Sequence, residues 1–281
     1  MIANQKTIAN KTTFSGIGLH SGIPSEIILE PAEVNSGINF HLNNKVIKAS
    51  WKNGHISQLC TKIKKDNFSL STIEHLMSAL CGLEIDNLNI KSNTNEMPIL
   101  DGSSKEYVEK ILDVGLINQN QLKKFIKIKN IITLKEDNKF IKIEPYNKNQ
   151  LIIDYTIDYK DDFIKKQNFL YKHSPTNYSE IYKARTFCLH KDLEHIFSMG
   201  LAKGGSLDNA IVVSGKKILN QGGLRYNNEF VRHKILDCIG DLYLAECLIL
   251  GKVTVYGGGH ELNLKLLNKI FKDKKNFDIL N

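Results

Sequence analysis

Short runs of alternating apolar and polar residues dominate the first part of the chain. Thr12–Ser15, Ser25–Pro31, Gly37–His41 and Val46–Ala49 read as strands, with Gly, Pro and Asn punctuation between them. The period then lengthens, predicting a helix over about Thr72–Cys81, a strand at Asn87–Ile90, and a second helix over about Ser104–Val114 stopped by Gly115. The polar stretch Asn118–Lys124 reads as a linker. The second part opens with strands at Phe125–Lys129, Lys139–Pro145 and Leu151–Tyr159, where Ile153, Tyr155, Ile157 and Tyr159 share one face. A short helix near Tyr178–Ala184, a long one over about Asn228–Leu250, a strand at Val253–Tyr256 and a terminal helix from near Leu262 follow. The order strands, helix, strand therefore occurs twice. Ile73-Glu74-His75 ahead of Cys81-Gly82 is faintly echoed by Val231-Arg232-His233 ahead of Cys238-Ile239-Gly240. The pattern predicts an α+β protein of two domains with similar topology, 1–120 and 121–281, each a mainly antiparallel sheet packed against helices. A cleft between such halves is a natural ligand site.

Composition narrows the class. The 281 residues are 42% hydrophobic and 24% charged, as in ordinary globular proteins. Ile235–Leu250 is the most apolar stretch, but Asp237, Asp241 and Glu246 interrupt it, and a membrane span needs roughly 20 apolar residues. The N-terminus carries no secretory pattern, and five scattered cysteines without CxxC spacing fit reduced thiols, so a cytoplasmic protein is expected. The net charge of +8 suits an anionic partner, but the lysines are dispersed. A basic nucleic-acid-binding module needs a clustered basic face with interleaved aromatics, which is missing. Gly16, Gly18 and Gly22 miss the dinucleotide spacing.

The densest chemical signal is Phe230–Leu242. At about 100° per residue, His233, Asp237 and Asp241 share a narrow sector with Lys234 beside it, and most of the remaining circumference is apolar. A helix apolar nearly all round is buried, so the stripe faces an internal site. His and Asp at i, i+4 fit either a plain ion pair or a shared grip on one metal ion. Ser71-Thr72-Ile73-Glu74-His75 is equally two-sided. Ser71 and Glu74 match a capping box, whereas His75 could be a further metal ligand and Glu74 a base beside it. His260 follows Gly257-Gly258-Gly259, which permits close backbone approach or simply a flexible loop. His20 fits a site or a turn, and His41, His55, His173, His190 and His195 read as surface or structural. Cys60, just ahead of Thr61, fits a place near such a metal or a buried structural thiol, the second being the safer reading.

Taken together, Ser15–Gly22, Ser71–Leu76, Met97–Ser103, Ala184–Phe187, Gly204–Ser206, Phe230–Asp237 and Gly259-His260 resemble the UDP-3-O-acyl-N-acetylglucosamine deacetylase family of Gram-negative bacteria, in order and over nearly the whole chain. The resemblance implies a Zn2+-dependent deacetylase of lipid A biosynthesis, with the metal between two related domains. It implies His75, His233 and Asp237 as zinc ligands, Glu74 as general base, His260 as general acid, Thr186 as oxyanion donor and Asp241 as the partner orienting the catalytic histidine. Lys234, Phe187, Lys139, Asp158 and Tyr159 would meet the UDP-linked acylated glucosamine substrate, and an insert at about 187–212 would line an acyl-chain passage. The apolar residues Leu189, Leu193, Ile196, Phe197, Met199 and Leu201 fit such a passage or the core of a small subdomain. A monomer is expected, without nucleic acid and without stable membrane insertion. The alternatives are another zinc amidohydrolase and, less well matched, the basic nucleic-acid-binding α+β module.

Overall fold

A computed structural model describes residues 3–281. Its helices are α1 (Glu74–Gly82), α2 (Lys105–Val114), α3 (Leu193–Ser198), α4 (Glu229–Leu242) and α5 (His260–Lys272). Two sheets follow one and the same path. The first runs Thr12–Ile17, Pro24–Pro31, Leu88–Ser92, Ile38–Leu42, Lys45–Lys48 from edge to edge. The second runs Ile132–Glu136, Lys139–Glu144, Leu248–Tyr256, Leu151–Asp158, Lys166–Lys172. In each, the strand that follows α1 or α4 takes the centre, antiparallel to one neighbour and parallel to the other. In each, a further helix follows that strand, α2 or α5. A terminal antiparallel pair completes each half: Asn4–Ile8 with Leu116–Leu122, and Phe125–Ile128 with Phe277–Leu280. The protein is thus α+β, with two domains of like topology and antiparallel-dominated sheets packed on helices.

Several boundaries differ from the sequence expectation. The supposed linker 118–124 is largely strand; its side chains are mostly exposed on a two-stranded ribbon, so no apolar alternation marks it. The long helix ends at Leu242 instead of Leu250. Glu246 closes a 3-10 turn in the left-handed conformation, and the central strand starts at Leu248. That strand is buried in mid-sheet and reads as apolar as the buried helix before it, so the period changes without a change in composition. The expected helix at Tyr178–Ala184 is a 3-10 turn, Asn177–Glu180, and α5 starts two residues early, at His260. Short sheets missed by the sequence reading occupy equivalent insertion points ahead of α1 and α4. One holds Gly54–His55, Lys62–Lys65 and Phe68–Ser71; the other holds Phe187–Leu189, Ile211–Ser214 and Lys217–Ile218, with α3 between its first two strands.

The core extends through both sheets, and within it α1 packs against α4. All of α1 is buried, as is every residue of α4 except Arg232 and Lys234. The approach is closest at Gly240, where a Cβ would lie 2.1 Å from the Glu74 carbonyl oxygen. Glycine there lets the first turn of α1 press against α4, so Glu74 and His75 reach the same space as the α4 stripe.

Candidate active site and metal centre

His233 and Asp237 lie one turn apart on α4, and the start of α1 brings His75 beside them. One ligand atom from each of the three falls within 4.8 Å of the others, and all three residues are buried. The imidazole rings of His75 and His233 meet edge to face, 5.1 Å apart. His233 Nδ1 is 3.1 Å from the Ala184 carbonyl oxygen, which makes Nδ1 the protonated nitrogen and leaves Nε2 a free lone pair toward Asp237. Asp237 Oδ1 lies 3.3 Å from His233 Nε2 and 3.6 Å from His75 Nε2. It accepts no hydrogen bond among the described residues, while Oδ2 accepts one from Lys234 Nζ at 2.8 Å. A buried carboxylate oxygen left open between two imidazole nitrogens is a cradle for a cation, and an N, N, O donor set suits zinc.

The charges support that reading. Burial opposes ionisation of Asp237, but His233 and Lys234 outweigh it and hold the carboxyl well below its ordinary range. Burial pushes His233 down to about 3, so its imidazole is neutral, as a ligand must be. Burial favours the neutral form of Lys234 too, yet Asp237 reverses this and keeps the ammonium charged.

Glu74 is not the helix cap that its spacing from Ser71 allowed. The cap position is Ile73, without a side-chain bond, and the Ser71 hydroxyl donates to the Asn95 carbonyl instead. Glu74 Oε2 accepts the Thr61 N–H at 3.0 Å, and burial raises its pKa above the usual carboxylate value. Across from it stands His260, the first residue of α5. Its Nδ1 is 2.9 Å from Asp241 Oδ2, and its Nε2 is 3.9 Å from both Glu74 Oε1 and Asp237 Oδ2. Burial opposes the imidazolium, but Asp241 outweighs it and carries His260 up to about 9. One buried carboxylate held as acceptor and one part-buried imidazole held as donor thus flank the candidate metal cradle.

Glu74, His75, His233, Asp237 and His260 line a cavity of about 870 Å³. Thr186, Phe187, Tyr159, Lys139 and Lys234 also line it. Phe187 packs 5.6 Å from the Tyr159 ring and 6.2 Å from the His233 ring, and the Thr186 N–H donates to the Gly102 carbonyl across the two halves. Leu193, Ile196, Phe197 and Met199 supply an apolar wall, joined by Ile56 and Leu59 from the other insert. Leu189 and Leu201 are not on that wall.

Asp158 corrects the expectation drawn for it. It does not line the cavity and accepts the hydroxyl of Tyr256 at the surface, because consecutive residues of an extended chain point opposite ways and Tyr159 takes the inward place. His190, read as surface or structural, borders the cavity while remaining exposed. His20 lines it too; both its ring nitrogens lack partners among the described residues, and burial lowers its pKa. His173 is buried beside Tyr171 and is structural.

Sequence reasoning missed two residues of the cluster. Asn263 Nδ2 donates to Asp241 Oδ2 at 2.7 Å; its place three residues after His260 on α5 is a legible signal. Thr61 touches Glu74, Asp241 and His260, and nothing in the local pattern marks it.

No helix among the described residues is long and apolar enough to cross a membrane. The chain is 44% identical over 279 residues to a protein of Campylobacter hominis named UDP-3-O-acyl-N-acetylglucosamine deacetylase, covering 98% of this chain and 94% of that protein. Proteins of the same name from Helicobacter pylori strain J99 and Haemophilus ducreyi are 42% and 41% identical, covering 98% of this chain and 94% and 92% of their own lengths. Residues 5–272 match the family LpxC, UDP-3-O-acyl N-acetylglycosamine deacetylase, and the chain belongs to that family.

Proposed function

We propose that this protein hydrolyses the N-acetyl group of UDP-3-O-acyl-N-acetylglucosamine, releasing acetate and a free sugar amine for lipid A biosynthesis in the cytoplasm. The observation that carries the reading is the open Asp237 Oδ1 between His75 and His233 in a cavity that also holds Glu74 and His260. His75, His233 and Asp237 would hold Zn2+, which when bound supplies a Lewis acid for the acetyl carbonyl and a more acidic water. Glu74 takes a proton from the attacking water. The Thr186 hydroxyl donates to the oxyanion that develops on the carbonyl. His260, tied through Nδ1 to Asp241, gives its Nε2 proton to the amine, which leaves poorly unless protonated. Lys139, Lys234, Tyr159 and Phe187 receive the nucleotide-sugar, and the apolar wall receives the acyl chain.

A different zinc amidohydrolase would share the metal cradle and the acid–base pair. The apolar lining contributed by both inserts favours an acylated substrate. Two measurements test the reading. The purified protein should contain about one zinc per chain and release acetate from the acylated substrate far faster than from UDP-N-acetylglucosamine, since each buried methylene contributes about 0.8 kcal/mol. His233→Ala should lose metal and activity together. Full zinc content in that variant, or equal efficiency on the two substrates, would overturn the corresponding half of the proposal.

A further inference from the structure

Thr61 belongs to the first half of the chain and is fully buried. It lies just ahead of strand Lys62–Lys65. Its N–H donates to Glu74 Oε2 at 3.0 Å. Its hydroxyl donates to Asp241 Oδ1, and the hydroxyl oxygen is 3.0 Å from His260 Nδ1. Asp241 and His260 lie 180 and 199 residues further along the chain, on the other half. The second Asp241 oxygen is held by His260 Nδ1 and by Asn263 Nδ2.

A hydroxyl has one proton to give. Because the Thr61 proton goes to Asp241, the face turned to His260 can only accept. Nδ1 of His260 must then carry hydrogen, and Nε2 is the nitrogen presented toward Glu74. The Thr61 backbone meanwhile fixes the carboxylate that Nε2 faces.

We infer that Thr61 is a positioning residue that ties the base to the acid, its backbone N–H holding Glu74 and its hydroxyl holding the Asp241–His260 pair, so that one residue of the first half sets both their spacing and the direction of the imidazole proton. Groups that exchange protons with one substrate must hold their separation within a fraction of an ångström. The β-branched threonine side chain, stiff at χ1, suits that task. The inference rests on the proposed deacetylation for its kinetic test only.

Thr61→Val keeps the N–H and the shape but removes the hydroxyl; Thr61→Ser keeps the hydroxyl. Thr61→Val should lower kcat about 10- to 100-fold, the size of one hydrogen bond to a charged group, with KM changed less than about threefold. Metal content should match the parent protein, Tm should fall by a few degrees as Asp241 loses a buried donor, and Thr61→Ser should stay within about threefold of the parent in kcat. A valine variant with parental kcat, or a serine variant as impaired as valine, would overturn the inference. If the valine variant fails to fold, Thr61→Ala against Thr61→Ser carries the same comparison. If the parent protein releases no acetate, the functional proposal fails, and the inference is read instead from 15N-edited NMR of the His260 imidazole. The Nδ1 proton should exchange slowly in the parent and serine proteins and be lost or shifted with valine; an unchanged signal in the valine protein would sink it.

Discussion

The two halves share one strand order, yet their central helices carry different chemistry. His75 on α1 and His233 on α4 each stand seven residues ahead of a helix glycine, Gly82 and Gly240. In that register α4 continues with Asp237 and Asp241, where α1 and its C-cap have the apolar Ala79 and Leu83. Where α1 places Glu74, α4 has Arg232, whose guanidinium stacks on Phe169 at 3.9 Å, away from the centre. Neither helix alone has all three candidate metal ligands, and the proposed acid His260 lies on α5. A repeated scaffold thus yields one site because the two copies pack helix against helix, α4 supplying the carboxylates that α1 replaces by packing residues and α1 supplying Glu74 where α4 turns Arg232 outward.

The largest expected effect comes from removing the charge that α1 alone provides. Glu74→Gln should retain metal and fold but lose turnover by about 10²- to 10⁴-fold, the usual worth of a general base. Paired measurements of metal content and acetate release check this; near-parental turnover would move the base elsewhere.

The two helix glycines sharpen the comparison next. Replacing Gly by Ala inside a helix ordinarily stabilises by up to about 1 kcal/mol. At Gly240 the new methyl would meet the Glu74 carbonyl at 2.1 Å, a backbone atom that cannot yield without parting the helices. Gly240→Ala should therefore destabilise by roughly 2–4 kcal/mol, with activity falling as α1 shifts. At Gly82 the neighbour is the Tyr178 ring, also at 2.1 Å, and a side chain has more room to adjust, so the loss should be smaller. Denaturant titration of both variants tests the ranking, and a stabilised Gly240→Ala protein would refute the close-packing argument.

A smaller effect concerns pH. His260 is held above its unfolded value, so its protonated form contributes stability that is complete below about pH 6.5 and lost as pH rises through about 9. A cation in the neighbouring cradle opposes the imidazolium and draws that value down. Catalytic efficiency, which needs the protonated donor, should therefore fall along an alkaline limb at or below about pH 9. Constant efficiency well above that limit would remove His260 as the donor.

The inserts should give the smallest response. Every residue of α1 is buried, whereas α3, on the second insert, buries none, and its Phe197 is 53% exposed. Phe197→Ala should change stability by no more than about 0.5 kcal/mol. It should reduce efficiency on the long-chain substrate a few-fold, about 1 kcal/mol of apolar contact, and leave the substrate without an acyl chain unaffected. Equal loss on both substrates would place Phe197 outside the acyl wall.

Much of this was legible in the chain. The inverted polarity of α4, a narrow His233–Asp237–Asp241 stripe on an otherwise apolar helix, identifies an internal polar site from helical geometry alone. The repeated element order announces two halves of like topology. Asn263 was within reach of the same reasoning, one turn from His260. The end of α4 was not, because the residues on either side of the turn at Glu246 are mostly apolar in helix and strand alike, and the exposed ribbon 116–122 lacks the alternation that marks a half-buried strand.

By itself the sequence determined the local periods, the buried stripe and the inventory of acids, imidazoles and hydroxyls. Only the tertiary structure decided which of them meet. It showed Glu74 bonded to Thr61 instead of capping its helix, turned Asp158 outward, and set Thr61 against Asp241 across 180 residues of chain. Side chains a turn apart are neighbours by geometry, whereas residues on different halves become neighbours only through the packing of α1 on α4, and that contact has no period for the sequence to display.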